Sequence, residues 1–158
     1  MLMSIMLLSA LLPSHAVPPC RTAQLRLTAD DHDGNYNGMS HSGTELLIRN
    51  TGPACMLAAN PRLEMRNARG RVVARGEASQ PRGIPLRLGN GRSGSIELRW
   101  VSNGVFAHNR HVDARFIVMR IGSGILRAPI DATLYSEAGD GFGFEQTAVH
   151  HPEASPHP

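Results

Sequence analysis

The chain has 158 residues, 41% of them hydrophobic and 18% charged, with sixteen Gly and eleven Pro. That suffices for one packed domain, and it excludes a disordered or collagen-like chain. The sixteen basic residues, all Arg, exceed the thirteen acids for a formal charge of +3, yet they are scattered and often sit beside acids, as in Arg62 to Arg66 around Glu64. No basic stripe is legible, and four Phe, two Tyr and one Trp make no base-stacking platform, so no nucleic-acid partner is expected.

Met1 to Leu12 is an apolar run of the length of a signal-peptide core, and Pro13-Ser14-His15-Ala16 places small residues where a signal peptidase reads. Residues 1–16 are therefore expected to be a signal peptide, 17–149 a single domain and 150–158 a flexible tail. The expected location is periplasmic or secreted. The run is too short to cross a bilayer as a mature helix and no other stretch is long enough, so no transmembrane segment is expected in the mature chain. Val17-Pro18-Pro19 lacks the small residues needed to acylate Cys20. Two cysteines in an exported domain, Cys20 and Cys55, read as one disulfide. They are too few for a Cys-built metal site, and nothing beside Cys55 offers a base to activate a nucleophile.

Short β-type alternations separated by turn residues run through the rest of the chain, and no stretch holds helical spacing over three turns. Leu25 and Leu27 mark the first strand. Leu46 and Ile48 mark the second, which ends at Asn50-Thr51-Gly52-Pro53, where Gly permits positive φ and Pro ends pairing. Met56 lies in the third run. Leu63 and Met65, then Val72 and Val73, predict a hairpin across Asn67-Ala68-Arg69-Gly70. Ile84, Leu86 and Leu88 make the next alternation, and Ile96, Leu98 and Trp100 the most regular one, with Trp100 a core residue. After a polar loop from Ser102 to His111, Phe116 to Ile121 is apolar on both faces and predicts an internal strand. Gly122-Ser123-Gly124 turns into Ile125 to Leu134, which Pro129 is expected to interrupt, and Phe142 to Val149 predicts the last strand. Eight or nine strands with uneven loops predict an all-β, two-sheet β-sandwich.

Gly38-Met39-Ser40-His41-Ser42-Gly43-Thr44-Glu45-Leu46, then Arg49-Asn50-Thr51-Gly52-Pro53-Ala54-Cys55, and Leu98-Arg99-Trp100-Val101-Ser102 resemble a family of exported bacterial domains known as domain of unknown function 4232. The resemblance covers about residues 20 to 148. It implies an immunoglobulin-like sandwich, secretion or lipid anchoring, and no established activity. Cys20 and Cys55 match the pattern. Similar sequences often carry a second cysteine pair, at places where this chain has His111 and Tyr135.

Several constellations invite chemistry. Asp30, Asp31, Asp33 and Asn35 crowd one loop, but Gly34 and Ser42 fall at the wrong positions for a calcium-binding loop. Ser40-His41-Ser42 contains nucleophile and base types, but neighbours on an extended strand lack converging geometry. No nucleophile elbow, phosphate loop or dinucleotide fingerprint is present. The expected protein is thus an exported, non-enzymatic binding or structural module of the cell envelope, without cofactor. Its partner would be an envelope protein or a surface ligand. Its candidate binding loop is Met39, Ser40, His41 and Ser42. The alternative is a periplasmic copper protein using Met39 and His41, a thioether and an imidazole two residues apart, with one further ligand.

Overall fold

A computed structural model describes residues 15–153; the apolar run of the expected signal peptide, Met1 to Leu12, and the end of the expected tail lie outside them. The strands are β1 (Leu25–Asp30), β2 (His41–Asn50), β3 (Cys55–Leu57), β4 (Arg62–Arg66), β5 (Val72–Ala78), β6 (Leu86–Leu88), β7 (Ser93–Val101), β8 (Asn109–Ile121), β9 (Gly124–Glu137) and β10 (Gly143–Gln146). Eight form one sheet in the order β1-β2-β7-β10-β5-β4-β8-β9, and β3 pairs with β6. The fold is all-β, as expected, with two three-residue strands carrying the total to ten.

The main sheet folds over on itself, so that β9 packs against β1 and β7 without pairing to them. The resulting sandwich has two halves, β1-β2-β7-β10 and β5-β4-β8-β9. They are not separate sheets: the parallel pairing of β10 with β5 joins them. Alternation supplies the core, because every second residue points inward. Leu25 and Leu27, Leu46 and Ile48, Ile96, Leu98 and Trp100 meet Leu63, Met65, Ile117, Met119, Ala128 and Leu134 in one buried cluster.

Covalent and polar pins hold the strand ends. Cys20 and Cys55 form a disulfide with Cα atoms 4.8 Å apart, and the same segments pair through Cys20 N donating to Met56 O (2.9 Å) and Met56 N to Pro18 O (2.8 Å). Asn50, fully buried at the end of β2, donates from Nδ2 to the carbonyls of Pro53 (2.9 Å) and Leu88 (3.0 Å), and its Oδ1 accepts from Gly52 N (2.9 Å) and Gln24 Nε2 (3.0 Å). The Asn-Thr-Gly-Pro run is therefore a joint that ties the β2–β3 turn to β6 and to the start of β1. Asn50→Ala strands those buried partners, and a loss of about 1 to 3 kcal/mol in urea denaturation is the expected result.

Several sequence expectations change in three dimensions. Ile84 does not continue the alternation of Leu86 and Leu88; it precedes β6 and is exposed. Pro129 does not break β9. The strand runs through it on the edge of the sheet, with a register shift opposite Arg115, which is where a residue lacking an N–H is tolerated. β8 starts at Asn109, inside the expected loop, and lies between β4 and β9 as an internal strand. The last strand is shorter than expected, because after Gln146 the backbone leaves the ladder, with Val149 N donating to Ala59 O. His150, assigned to the tail, is held by a two-way backbone bridge to Ser95. His111 and Tyr135 are direct cross-strand partners, with ring centroids 5.5 Å apart. Ring stacking thus stands where the resemblance implies a second disulfide.

Candidate functional site

The segment between β1 and β2, residues 31–40, folds down on the outer face of β2 and β7. Its first turn is built by short acids: Asp30 Oδ1 accepts from His32 N (2.8 Å) and Asp31 Oδ1 from Asp33 N (3.2 Å). This explains the acid-rich run as backbone capping. His32 and Asp33 both have positive φ, 49° and 55°, a conformation that side chains pay to adopt. What holds it is Glu45, a β2 residue that accepts from the His32 ring at Nε2 and from the Ser95 hydroxyl. Further along, Tyr36 lies over Gly43. A Cβ at Gly43 would come within 2.4 Å of the Leu98 carbonyl oxygen and 3.0 Å of Tyr36 Cβ, so the close approach requires glycine. Ser42 Oγ donates to Asn37 Oδ1 (2.5 Å), Thr44 Oγ1 to Asp30 O (2.9 Å) and Gly38 N to His41 O (2.8 Å).

Electrostatics follow from this docking. The hydrogen bond to Glu45 raises the pKa of His32 against a smaller burial penalty, and the charges of Asp30, Glu45 and Asp31 add to it. Burial, with the charges of Glu97, Glu45, Asp30 and Glu153, pushes Tyr36 up to about 12. A histidine raised in the folded state stabilises fully below its ordinary value, and that contribution is lost as pH rises through the raised one. Amide exchange across residues 31–40 should accordingly accelerate as pH climbs through and above neutrality, beyond the intrinsic pH effect. In Glu45→Gln that extra dependence should disappear. Unchanged protection across this range would refute the anchor.

Beneath the segment lies a cleft of about 450 Å³, bordered by Tyr36, Asn37, Glu97, Arg99, Glu145 and Thr147. A second hollow shares Arg99 and Glu145 with it and reaches His41 and Glu77, and a third shares Glu97 and Thr147 and reaches Arg82 and Glu153. Together they form a groove along β7 and β10. Its acids are arranged at a cost: Glu45 stands directly opposite Glu97, and Glu77 opposite Glu145, and facing like charges destabilise a sheet. Among the described residues, Glu77, Glu97 and Glu145 make no ion pair within 4.0 Å.

The loop singled out from sequence is divided by this geometry. Asn37 and Gly38 border the main cleft, Ser42 a hollow on the β1 side and His41 the second hollow of the groove. Met39 is 98% exposed, with only its carbonyl held, by Asn103 Nδ2 at 3.0 Å. Ser40 Oγ bonds His41 Nδ1 (2.9 Å). Among the described residues no three His, Cys, Asp or Glu side chains converge as metal ligands. Ser95, Glu45 and His32 have the residue types of a hydrolytic triad in the wrong order: the carboxylate sits between hydroxyl and imidazole, and Ser95 is fully buried. Sequence reading missed Tyr36, Glu97, Arg99 and Glu145. The outward positions of the Ile96-Leu98-Trp100 alternation signalled Glu97 and Arg99 as exposed, but the neighbouring β10 is set by topology alone.

No helix among the described residues is long and apolar enough to cross a membrane. Neither the curated proteins nor the solved structures contain a match to this chain. Residues 20–141, most of the chain and nearly all of the sandwich, match the model of the family described as Domain of unknown function (DUF4232), and the chain belongs to that family.

Proposed function

We propose that the protein is an exported, non-enzymatic binding module of the cell envelope whose ligand site is the groove along β7 and β10 under residues 31–40. The apolar run ahead of Ala16 and the Cys20–Cys55 bridge support export. The observation that carries the site is the set of exposed acids Glu77, Glu97 and Glu145, without ion-pair partners among the described residues, lining a concave surface that holds Arg99 near its centre. Surfaces that retain repelling charges at a cost in stability serve a function that uses the field. The ligand class is cationic and rich in hydrogen-bonding groups, such as a basic peptide segment, with Tyr36 offering a flat apolar face and a hydroxyl.

Nuclear magnetic resonance titration with an arginine- and lysine-containing peptide tests this. Shift changes should cluster at Tyr36, Glu97, Arg99 and Glu145, and Glu97→Gln with Glu145→Gln should weaken binding about tenfold or more. Changes spread over the whole surface, or equal affinity in the variant, would remove the groove from the reading.

A further inference from the structure

We propose that the opposite side of the sandwich, the outer face of β5, β4, β8 and β9, is a docking surface for an anionic phospholipid membrane. Register places Arg75, Glu64, Val118 and Arg127 in one row across the four strands, and Arg62 beside Arg120 in another row. Arg66 follows on the same face of β4, two residues beyond Glu64. Five guanidiniums thus share one face with two carboxylates: Glu64 among them, and Glu77 two residues beyond Arg75 on β5. Glu64 is buried, with Arg66 Nη2 at 3.1 Å, Arg120 Nη2 at 3.6 Å and Arg62 Nε at 3.9 Å. One negative charge orients three arginines and neutralises one of them.

Arg75 and Arg127 stand outside this cluster. The Arg127 guanidinium lies over the Phe116 ring, 3.3 Å from its centroid, which holds the charge at the surface.

The layout favours a membrane over a linear polyanion. The charges span four strands, about 14 Å across at the usual strand spacing, so they cover a patch in two dimensions, whereas a chain of phosphates or sulfates would be tracked along one line. Ile125, on the same face opposite Arg120, is 49% exposed and adds an apolar side chain that gains by entering the interfacial zone. Guanidinium suits phosphate because it presents paired donors.

Vesicle sedimentation with the full chain tests the surface. Wild type should partition strongly to phosphatidylcholine vesicles containing about one-third phosphatidylglycerol and weakly to phosphatidylcholine alone, and rising salt should release it. Arg75→Gln with Arg127→Gln leaves the Glu64 cluster intact and should lower partitioning by about tenfold or more with the melting temperature unchanged. Equal binding to neutral and anionic vesicles is the behaviour of the apolar N-terminal run and would overturn the proposal. So would a variant that binds like wild type, or capture by soluble polyphosphate with no vesicle binding. Should the double variant fail to fold, the salt response of wild type decides: binding that salt leaves unchanged overturns the surface.

Discussion

Reduction of the Cys20–Cys55 bridge, or Cys20→Ser with Cys55→Ser, is expected to lower stability by about 3 to 4 kcal/mol. The bridge closes 35 residues, and in the chain-entropy model that constraint on the unfolded chain sets the magnitude. A domain of this size has about 5 to 15 kcal/mol in all, so the loss is a large fraction of it. The location adds to the effect, because the bridge fastens the segment before β1 onto β3, whose only strand partner among the described residues, besides that segment, is β6. Urea denaturation of oxidised, reduced and doubly substituted protein should give two coincident curves for the last two, displaced from the first. Thiol titration of the oxidised protein should find no free thiol, folded or unfolded. Two free thiols, or coincidence of all three curves, would remove the bridge and weaken the case for an oxidising compartment.

Glu64→Ala should cost about 1 to 3 kcal/mol, because it removes the buried acceptor of Arg66 and the one negative charge that Arg62 and Arg120 face. Burial by itself would push this carboxyl up; the hydrogen bond from Arg66 and the charges of Arg120, Arg66 and Arg62 outweigh burial and hold it below the ordinary carboxylate value. For a depressed carboxylate the stabilisation is complete above the ordinary value and is lost as pH falls through the lowered one. Wild type should therefore lose stability relative to Glu64→Gln as pH falls from about 5 toward 2, and the two curves should converge in acid. A gap independent of pH would mean that Glu64 acts through shape and not through charge. A double-mutant cycle with Arg66→Met should show coupling between the pair, since the two side chains are in contact.

How much of this was legible in the sequence depends on the range of the interaction. The strands carrying Ile96, Leu98 and Trp100, or Leu46 and Ile48, announce themselves because alternation is a local consequence of the pleat, and those residues are buried as the pattern requires. The Asn67–Gly70 turn was readable for the same reason: Asn67 Oδ1 accepts from Arg69 N and Arg71 N, and Gly70 takes positive φ, all within five residues. Ile84 was misread because an apolar residue at the right spacing carries no mark of whether a partner strand reaches it. Pro129 shifts the ladder without ending its strand, an outcome that depends on whether the strand is at an edge.

The candidate loop was half legible. Gly43 and the polar residues around it stood out as an unusual run, and the structure gives most of them the work of seating residues 31–40 on the sheet. Met39, the residue that made the loop look like a ligand set, is almost fully exposed. The residues that face the groove, Tyr36, Glu97, Arg99 and Glu145, come from three separated stretches of chain. No spacing rule connects them.

By itself the sequence determined the all-β class, the strand faces, the cysteine pair and the membership implied by the Gly38–Leu46 and Arg49–Cys55 runs, because each rests on interactions within a few residues or on a count of thiols in the chain. The tertiary structure alone decided where charge accumulates. The arginines looked scattered beside acids, and no basic surface was legible, yet pairing of β4 with β5 and β8, and of β8 with β9, gathers Arg62, Arg66, Arg75, Arg120 and Arg127 on one face. The same pairing, through β10 beside β5 and β7, gathers Glu77, Glu97 and Glu145 along a groove. The reason is physical. Alternation decides which side of a strand a residue takes, but strand order and register decide its neighbours, and both are set by non-local hydrogen bonds and core packing that no window of sequence contains.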